Sequence, residues 1–143
     1  KYQKAAWQLE KVLEKDPNDH LTHSDLGKVY VALGRYEEAK RQLQKAIELQ
    51  PENPVYYENL GLFFMNLKSY EESKEVFQKA LQVDSSYVPN YKNLGFAYTN
   101  LGENKEAIKY LELYLKYEPQ AKDRNYIQGL IKQLKIKEKE LRP

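Results

Sequence analysis

Apolar residues along this chain recur at helical spacing and are interrupted at short, regular breaks. From Pro54 onward they fall at Tyr57, Leu60, Gly61, Phe64 and Leu67, one face of a 3.6-residue period. The same face is written by Tyr91, Leu94, Gly95, Tyr98 and Leu101, and by His23, Leu26, Gly27, Tyr30 and Leu33. Each segment ends at a break: "LGRYEEA", "LKSYEES" or "LGENKEA". Gly34 and Gly102 suit the left-handed residue that ends many helices. Lys68 holds that place in the middle break, where strain or another turn is expected. A second apolar stripe follows each break. It runs through Tyr36, Ala39, Leu43, Ala46, Ile47 and Leu49, then through Tyr70, Ser73, Phe77, Ala80, Leu81 and Val83, then through Ala107, Leu111, Tyr114, Leu115 and Tyr117. Pro51 and Pro119 punctuate the ends of these second helices. Ser85 stands where the middle proline would be, and Asp84, Ser85 or Ser86 could cap the helix that follows.

The breaks keep a fixed interval. "ENLGLFFMNL" and "KNLGFAYTNL" lie 34 residues apart, and Gly27, Gly61, Gly95 and Gly129 share that spacing. The chain therefore divides into units 20–53, 54–87 and 88–121. Residues 1–19 align with a second helix alone: Tyr2 matches Tyr36, Ala5 matches Ala39, Leu9 matches Leu43 and Pro17 matches Pro51. Residues 122–143 read as one capping helix with Tyr126, Ile127, Leu130, Ile131 and Leu134 apolar and a charged end. The expectation is eight helices. The first residue is Lys1 and not Met, which reads as a piece of something longer or a processed form.

Leu-Gly, Tyr, Gly, Tyr, Ala and Pro in this order on a 34-residue helix-turn-helix unit resemble the tetratricopeptide repeat. The resemblance covers essentially the whole chain, with Lys68, Ser73, Asn104 and Ser85 departing at signature positions. It implies an all-α solenoid of stacked antiparallel helix pairs, wound as a right-handed superhelix. One two-helix unit cannot bury its apolar face alone, so neighbours must stack. Small residues at Gly27, Gly61, Gly95, Ala39, Ala46, Ala80 and Ala107 let the helices approach, and the tyrosines fill the spaces between them.

Composition narrows the function. Hydrophobic residues make up 41% and charged residues 31% of 143 residues, and the mean hydropathy is −0.84, as suits a large wetted surface. A net charge of +2, from 23 basic and 21 acidic residues, gives little field for DNA or RNA. The absence of cysteine excludes disulfides, zinc-thiolate sites and cysteine nucleophiles, and leaves the compartment open. No apolar run approaches the ~20 residues of a membrane span, and no signal-peptide pattern is read. No Ser-His-Asp arrangement or phosphate loop appears. His20 and His23 share a helix without a third metal ligand, so no cofactor or metal and no catalysis is expected. The terminal helix carries seven Lys/Arg against three Asp/Glu between Lys122 and Pro143, read as a solvated cap.

By the same resemblance, the first helices line a concave groove that binds a protein or peptide partner. The groove candidates are the first-helix residues that the packing faces leave unused. They are Leu21, Ser24, Asp25, Lys28 and Ala32; Val55, Glu58, Asn59, Leu62, Met65 and Asn66; and Pro89, Lys92, Asn93, Phe96, Thr99 and Asn100. Asparagine is poor inside a helix because its amide competes for backbone bonds. Asn59 and Asn93 could therefore grip a ligand's backbone, or serve local hydrogen bonding, while Asn66 and Asn100 could cap helix ends. Glu58 and Lys92 occupy equivalent places with opposite sign, to read a partner's charges or to pair with each other. A two-carboxylate clamp of the kind some relatives use is not expected. Ser24 and Lys28 stand where its first pair should be, and Glu58 and Leu62 follow in the next repeat. Trp7 aligns with Arg41, Glu75 and Lys109; the expectation is that an upstream first helix covers it, and the alternative is that it is offered to a partner. The alternatives to a binding scaffold are a self-associating array, a homo-oligomer stacked through exposed solenoid ends, and a recruitment module of a larger enzyme.

Overall fold

The computed structural model describes residues 1–142, and its eight helices are the only regular elements among them. They are α1 (Tyr2–Lys15), α2 (His20–Ala32), α3 (Tyr36–Leu49), α4 (Pro54–Asn66), α5 (Tyr70–Val83), α6 (Pro89–Asn100), α7 (Asn104–Tyr117) and α8 (Arg124–Glu140). Local chemistry sets their ends. The Asp19 carboxylate accepts the Thr22 amide at 3.2 Å, and the Asn53 side-chain Oδ1 accepts the Val55 amide at 3.0 Å. Pro54 and Pro89 open α4 and α6, where a missing N–H costs nothing. Gly34 and Gly102 turn the chain at φ +75°. Lys68 makes the same turn at φ 61°, a conformation that disfavours a side chain. Asp84 does not cap α6. It accepts the Ser86 amide at 3.0 Å and the Ser86 hydroxyl at 2.6 Å, while the N-cap position of α6 falls to Val88 without a side-chain bond.

Within each repeat the first and second helices meet at a glycine. A Cβ on Gly27 would lie 2.7 Å from the Leu43 side chain, and Gly61 and Gly95 face Phe77 and Leu111 still more closely. Ala39, Ala46, Ala80 and Ala107 are fully buried beside them. Ser73 replaces alanine there and satisfies its hydroxyl by donating to the Ser69 carbonyl at 3.1 Å. In α4 the buried aromatics are Tyr56 and Phe63; Tyr57 and Phe64, expected on that face, are only half-buried, and Leu67 is exposed. Neighbouring elements pack on this helix from several sides, α3 and α5 with lesser contacts from α2 and α6, so its apolar arc is wider than one stripe. In α8, Ile127, Ile131 and Leu134 are buried, but Tyr126 is 66% exposed.

Repeats are joined by recurring polar contacts. The side chains of Tyr57 and Tyr91 donate to the carbonyls of Pro51 and Ser85, six residues back, at 2.8 and 2.7 Å. His23 Nε2 meets the Pro17 carbonyl in the same way at 2.7 Å. The Tyr30 hydroxyl donates to Glu10 of the preceding second helix at 2.6 Å, and Gln78 donates to the Tyr98 hydroxyl at 2.8 Å across the equivalent joint. Successive first helices α2, α4 and α6 touch one another, whereas no comparable contact joins α3 to α5 or α5 to α7. The array therefore curves with its first helices on the inner side.

Candidate functional site

The inner wall is made by α2, α4 and α6, and only four of its residues carry formal charge: Asp25, Lys28, Glu58 and Lys92. Each has a partner inside the protein. Lys28 lies 3.9 Å from Asp25, one turn away on the same helix. Glu58 is held at both oxygens, by the Tyr87 hydroxyl at 2.6 Å and by Asn93 Nδ2 at 2.8 Å. Lys92 donates to Asp123 at the head of α8 at 3.0 Å and lies 5.2 Å from the centre of the Tyr114 ring. Glu58 and Lys92 therefore do not pair with each other.

These contacts shift the groups involved. Burial, the bond to Glu58 and the Glu58 charge all push the Tyr87 hydroxyl well above its ordinary value. Burial works against an ionised Asp123, but hydrogen bonds from Lys92 and Tyr114, with the Lys92 charge, hold it below the usual carboxylate range. Burial likewise opposes the charge of Lys92, yet the bond to Asp123 and its other neighbours carry that ammonium upward.

The asparagines divide. Asn59 donates to the Ser24 hydroxyl at 2.9 Å, and Asn93 to Glu58, so each ties its helix to the preceding first helix. Ser24 and Asn93 are buried in that joint and do not face the groove freely. Asn100 donates to the Phe96 carbonyl at 2.8 Å, as a helix-end amide can. Asn66 stands exposed. Leu62 is 44% exposed, and Met65 and Phe96 are half-buried against the core of the last two repeats. Between α2 and α4 the wall opens into a hollow of about 240 Å³, floored by Leu43 and Phe63 and rimmed by Lys28, Val31, Asn59, Leu62 and Asn66.

Other candidates resolve differently. Both side-chain atoms of Asn90, near the start of α6, are buried without a protein partner among the described residues. His20 Nδ1 lies 2.6 Å from the Tyr56 hydroxyl, and His23 Nδ1 lies 2.6 Å from Gln42 Oε1, so both serve helix packing. Among the described residues no three His, Asp or Glu side chains gather as a metal site would require, and no helix is long and apolar enough to cross a membrane. Trp7 is 58% exposed, and the missing-cover expectation fails. Arg41, Glu75 and Lys109 are exposed although their own first helices are present. A first helix upstream would thus leave Trp7 on the outer surface; the charged residues at its equivalents were the signal.

Profiles described as TPR repeat and tetratricopeptide repeat match residues 27–68, residues 55–87 and 89–120, and residues 9–41. The chain is a tetratricopeptide repeat protein. Proteins of this family generally act as non-catalytic interaction modules. Among curated proteins, no relative matches the sequence. Among solved structures, the tetratricopeptide array resembles MamA at 28% identity, with a TM-score of 0.80, 94% of this chain and 78% of that one covered. It resembles PilF of Pseudomonas aeruginosa at 25% identity and a TM-score of 0.84, covering 97% of this chain and 62% of that one. A third similar structure is the first TPR of Spaghetti (RPAP3) bound to the HSP90 peptide SRMEEVD, at 25% identity and a TM-score of 0.74, covering 84% of this chain and 93% of that one.

Proposed function

We propose that this array is a binding scaffold whose inner wall receives a segment of a partner protein. The observation that carries the reading is the open apolar surface of that wall. Leu62 lines the hollow between α2 and α4, and Val55 is exposed two turns earlier on the same helix; the charges of the wall helices have partners within the protein. Exposed apolar surface rimmed by polar groups marks interaction sites. A peptide-bound relative supports the same use of the fold. No catalytic role is assigned: Glu58, Lys92 and Asn93 are engaged within the protein itself. The test is selection from a displayed peptide library, followed by titration of the enriched peptides. Leu62→Asp should abolish binding and Trp7→Asp on the outer surface should leave it unchanged, with helical content equal in both. Enriched peptides that bind Leu62→Asp at full strength would end the groove reading.

A second reading rests on α1. Ala5, Leu9 and Val12 are half-buried or exposed where Ala39, Leu43 and Ala46 are buried. Two copies could cover this face with each other. Sedimentation at rising concentration tests it: a dimer that Val12→Glu dissolves supports it, and a monomer throughout excludes it.

A further inference from the structure

We infer that the groove has one anchor point, the hollow between α2 and α4, and that it takes a single large uncharged apolar side chain from within a partner's chain, not an acidic chain end. The inference rests on the groove reading above and names the chemistry of its partner.

Size is the first argument. A volume of about 240 Å³ is below the ~300–1,000 Å³ of small-molecule pockets and suits one side chain. Leu43, Phe63, Val31 and Leu62 supply hydrocarbon walls, so what enters must lose its water without needing a polar partner. Asn59 and Asn66 at the rim offer amides that can meet a peptide backbone whatever its sequence.

Position is the second argument. One repeat further on, the corresponding residues are the larger Met65 for Val31, Phe77 for Leu43 and Phe96 for Leu62, against the smaller Ala97 for Phe63. Met65 and Phe96 are packed against the core there, and Phe77 is fully buried. The larger side chains fill the space that the first interval leaves open, so one anchor is available and not a ladder of equal pockets.

Charge is the third. An acidic tail needs free cations in the wall. Lys92 is held by Asp123 and lies against Tyr114, and releasing it would strand a partly buried carboxylate. Lys28 is exposed and lies 3.9 Å from Asp25, whose charge offsets its own toward an incoming carboxylate. The three wall helices carry two acids and two bases, which leaves no net field to hold carboxylates.

The experiment is fluorescence anisotropy on the whole chain with three probes. They are the acidic peptide SRMEEVD with its free carboxylate, amidated seven-residue Gly/Ser/Gln peptides with one central Leu, Phe or Met, and the same peptides with Ala at the centre. The central Leu, Phe or Met should bind roughly tenfold or more tightly than Ala, with little change between low and high salt. SRMEEVD should bind no better than the Ala peptides. Filling the hollow with Val31→Met and Leu62→Phe, the residues the next repeat uses, should remove the preference, and so should the milder Leu62→Gln. Glu75→Gln on the outer face should change nothing. Binding of SRMEEVD that needs its carboxylate and is lost in Lys28→Gln would overturn the inference and leave the groove reading standing. A preference that survives in both filled and Leu62→Gln proteins would overturn the hollow as anchor. If neither these probes nor the library yields a binder, the groove reading fails and the inference falls with it.

Discussion

Helices α2, α4 and α6 carry four charged residues between them, whereas α3, α5 and α7 carry sixteen. The second helices have one apolar stripe toward the core and a charged outer face, as a surface helix should. The first helices have apolar residues spread around the axis. Each is packed by its own second helix, by the second helix of the preceding repeat and by neighbouring first helices, so little of it is left to water. What remains exposed is the inner wall. The charged surface is thus carried by one set of helices, and the other keeps apolar residues toward its neighbours and the inner wall.

The largest test of this contrast compares the two faces of a single second helix. Phe77→Ala removes a fully buried ring wedged against Gly61 and should cost ~3–5 kcal/mol in denaturant unfolding. Glu75→Ala on the exposed face of the same helix should stay within about 0.5 kcal/mol. An equal loss from both would mean that the repeats are not held by this seam.

Next comes one repeat position in two settings. Gly61→Val drives atoms into Phe77 and should destabilise by at least ~1–3 kcal/mol. At Gly129 a Cβ meets nothing within 4 Å, so Gly129→Ala should stabilise by ~0.5–1 kcal/mol through helix propensity alone. Thermal melts of the pair should move in opposite directions.

A smaller effect separates the wall from its cap. The pKa of Asp123 is depressed in the folded protein. Its contribution is therefore present above the ordinary carboxylate value of ~3.9 and is lost as pH falls through the lower folded value. Asp123→Asn should cost about 1 kcal/mol near neutral pH. That difference should fade as pH falls through the lowered folded value, where the native residue is protonated too. A difference that persists in acid would show that packing and not charge is lost. Smallest is Lys68→Gly, which relieves the left-handed turn between α4 and α5 and should gain somewhat under 1 kcal/mol by melting.

The repeat was readable because packing needs the same small or bulky residue at each turn of the array: Gly27, Gly61 and Gly95 carry that demand in their spacing. The eight helices followed from it, and so did the two glycine turns at Gly34 and Gly102. The wall was only half readable. An amide such as Asn93 looks the same in sequence whether it faces a ligand or Glu58, and the partner lies 35 residues away on another helix. Tyr57 and Phe64 were expected on the face that Tyr56 and Phe63 fill, for a related reason: a helix with neighbours on several sides buries an arc that a single-stripe period does not describe. The hollow could not be seen at all, since it depends on how Leu62, Val31 and Leu43 fail to fill a shared space.

The polar ties between inner helices run the length of the array. Asn59 to Ser24 and His20 to Tyr56 span α2 and α4, Asn93 reaches from α6 to Glu58 of α4, and Lys92 is bound to the head of α8. Every joint is latched by side chains, like the hinges of a folding screen pinned in one pose. The hollow is then a notch in a braced frame, and whatever enters it meets a mould already cast.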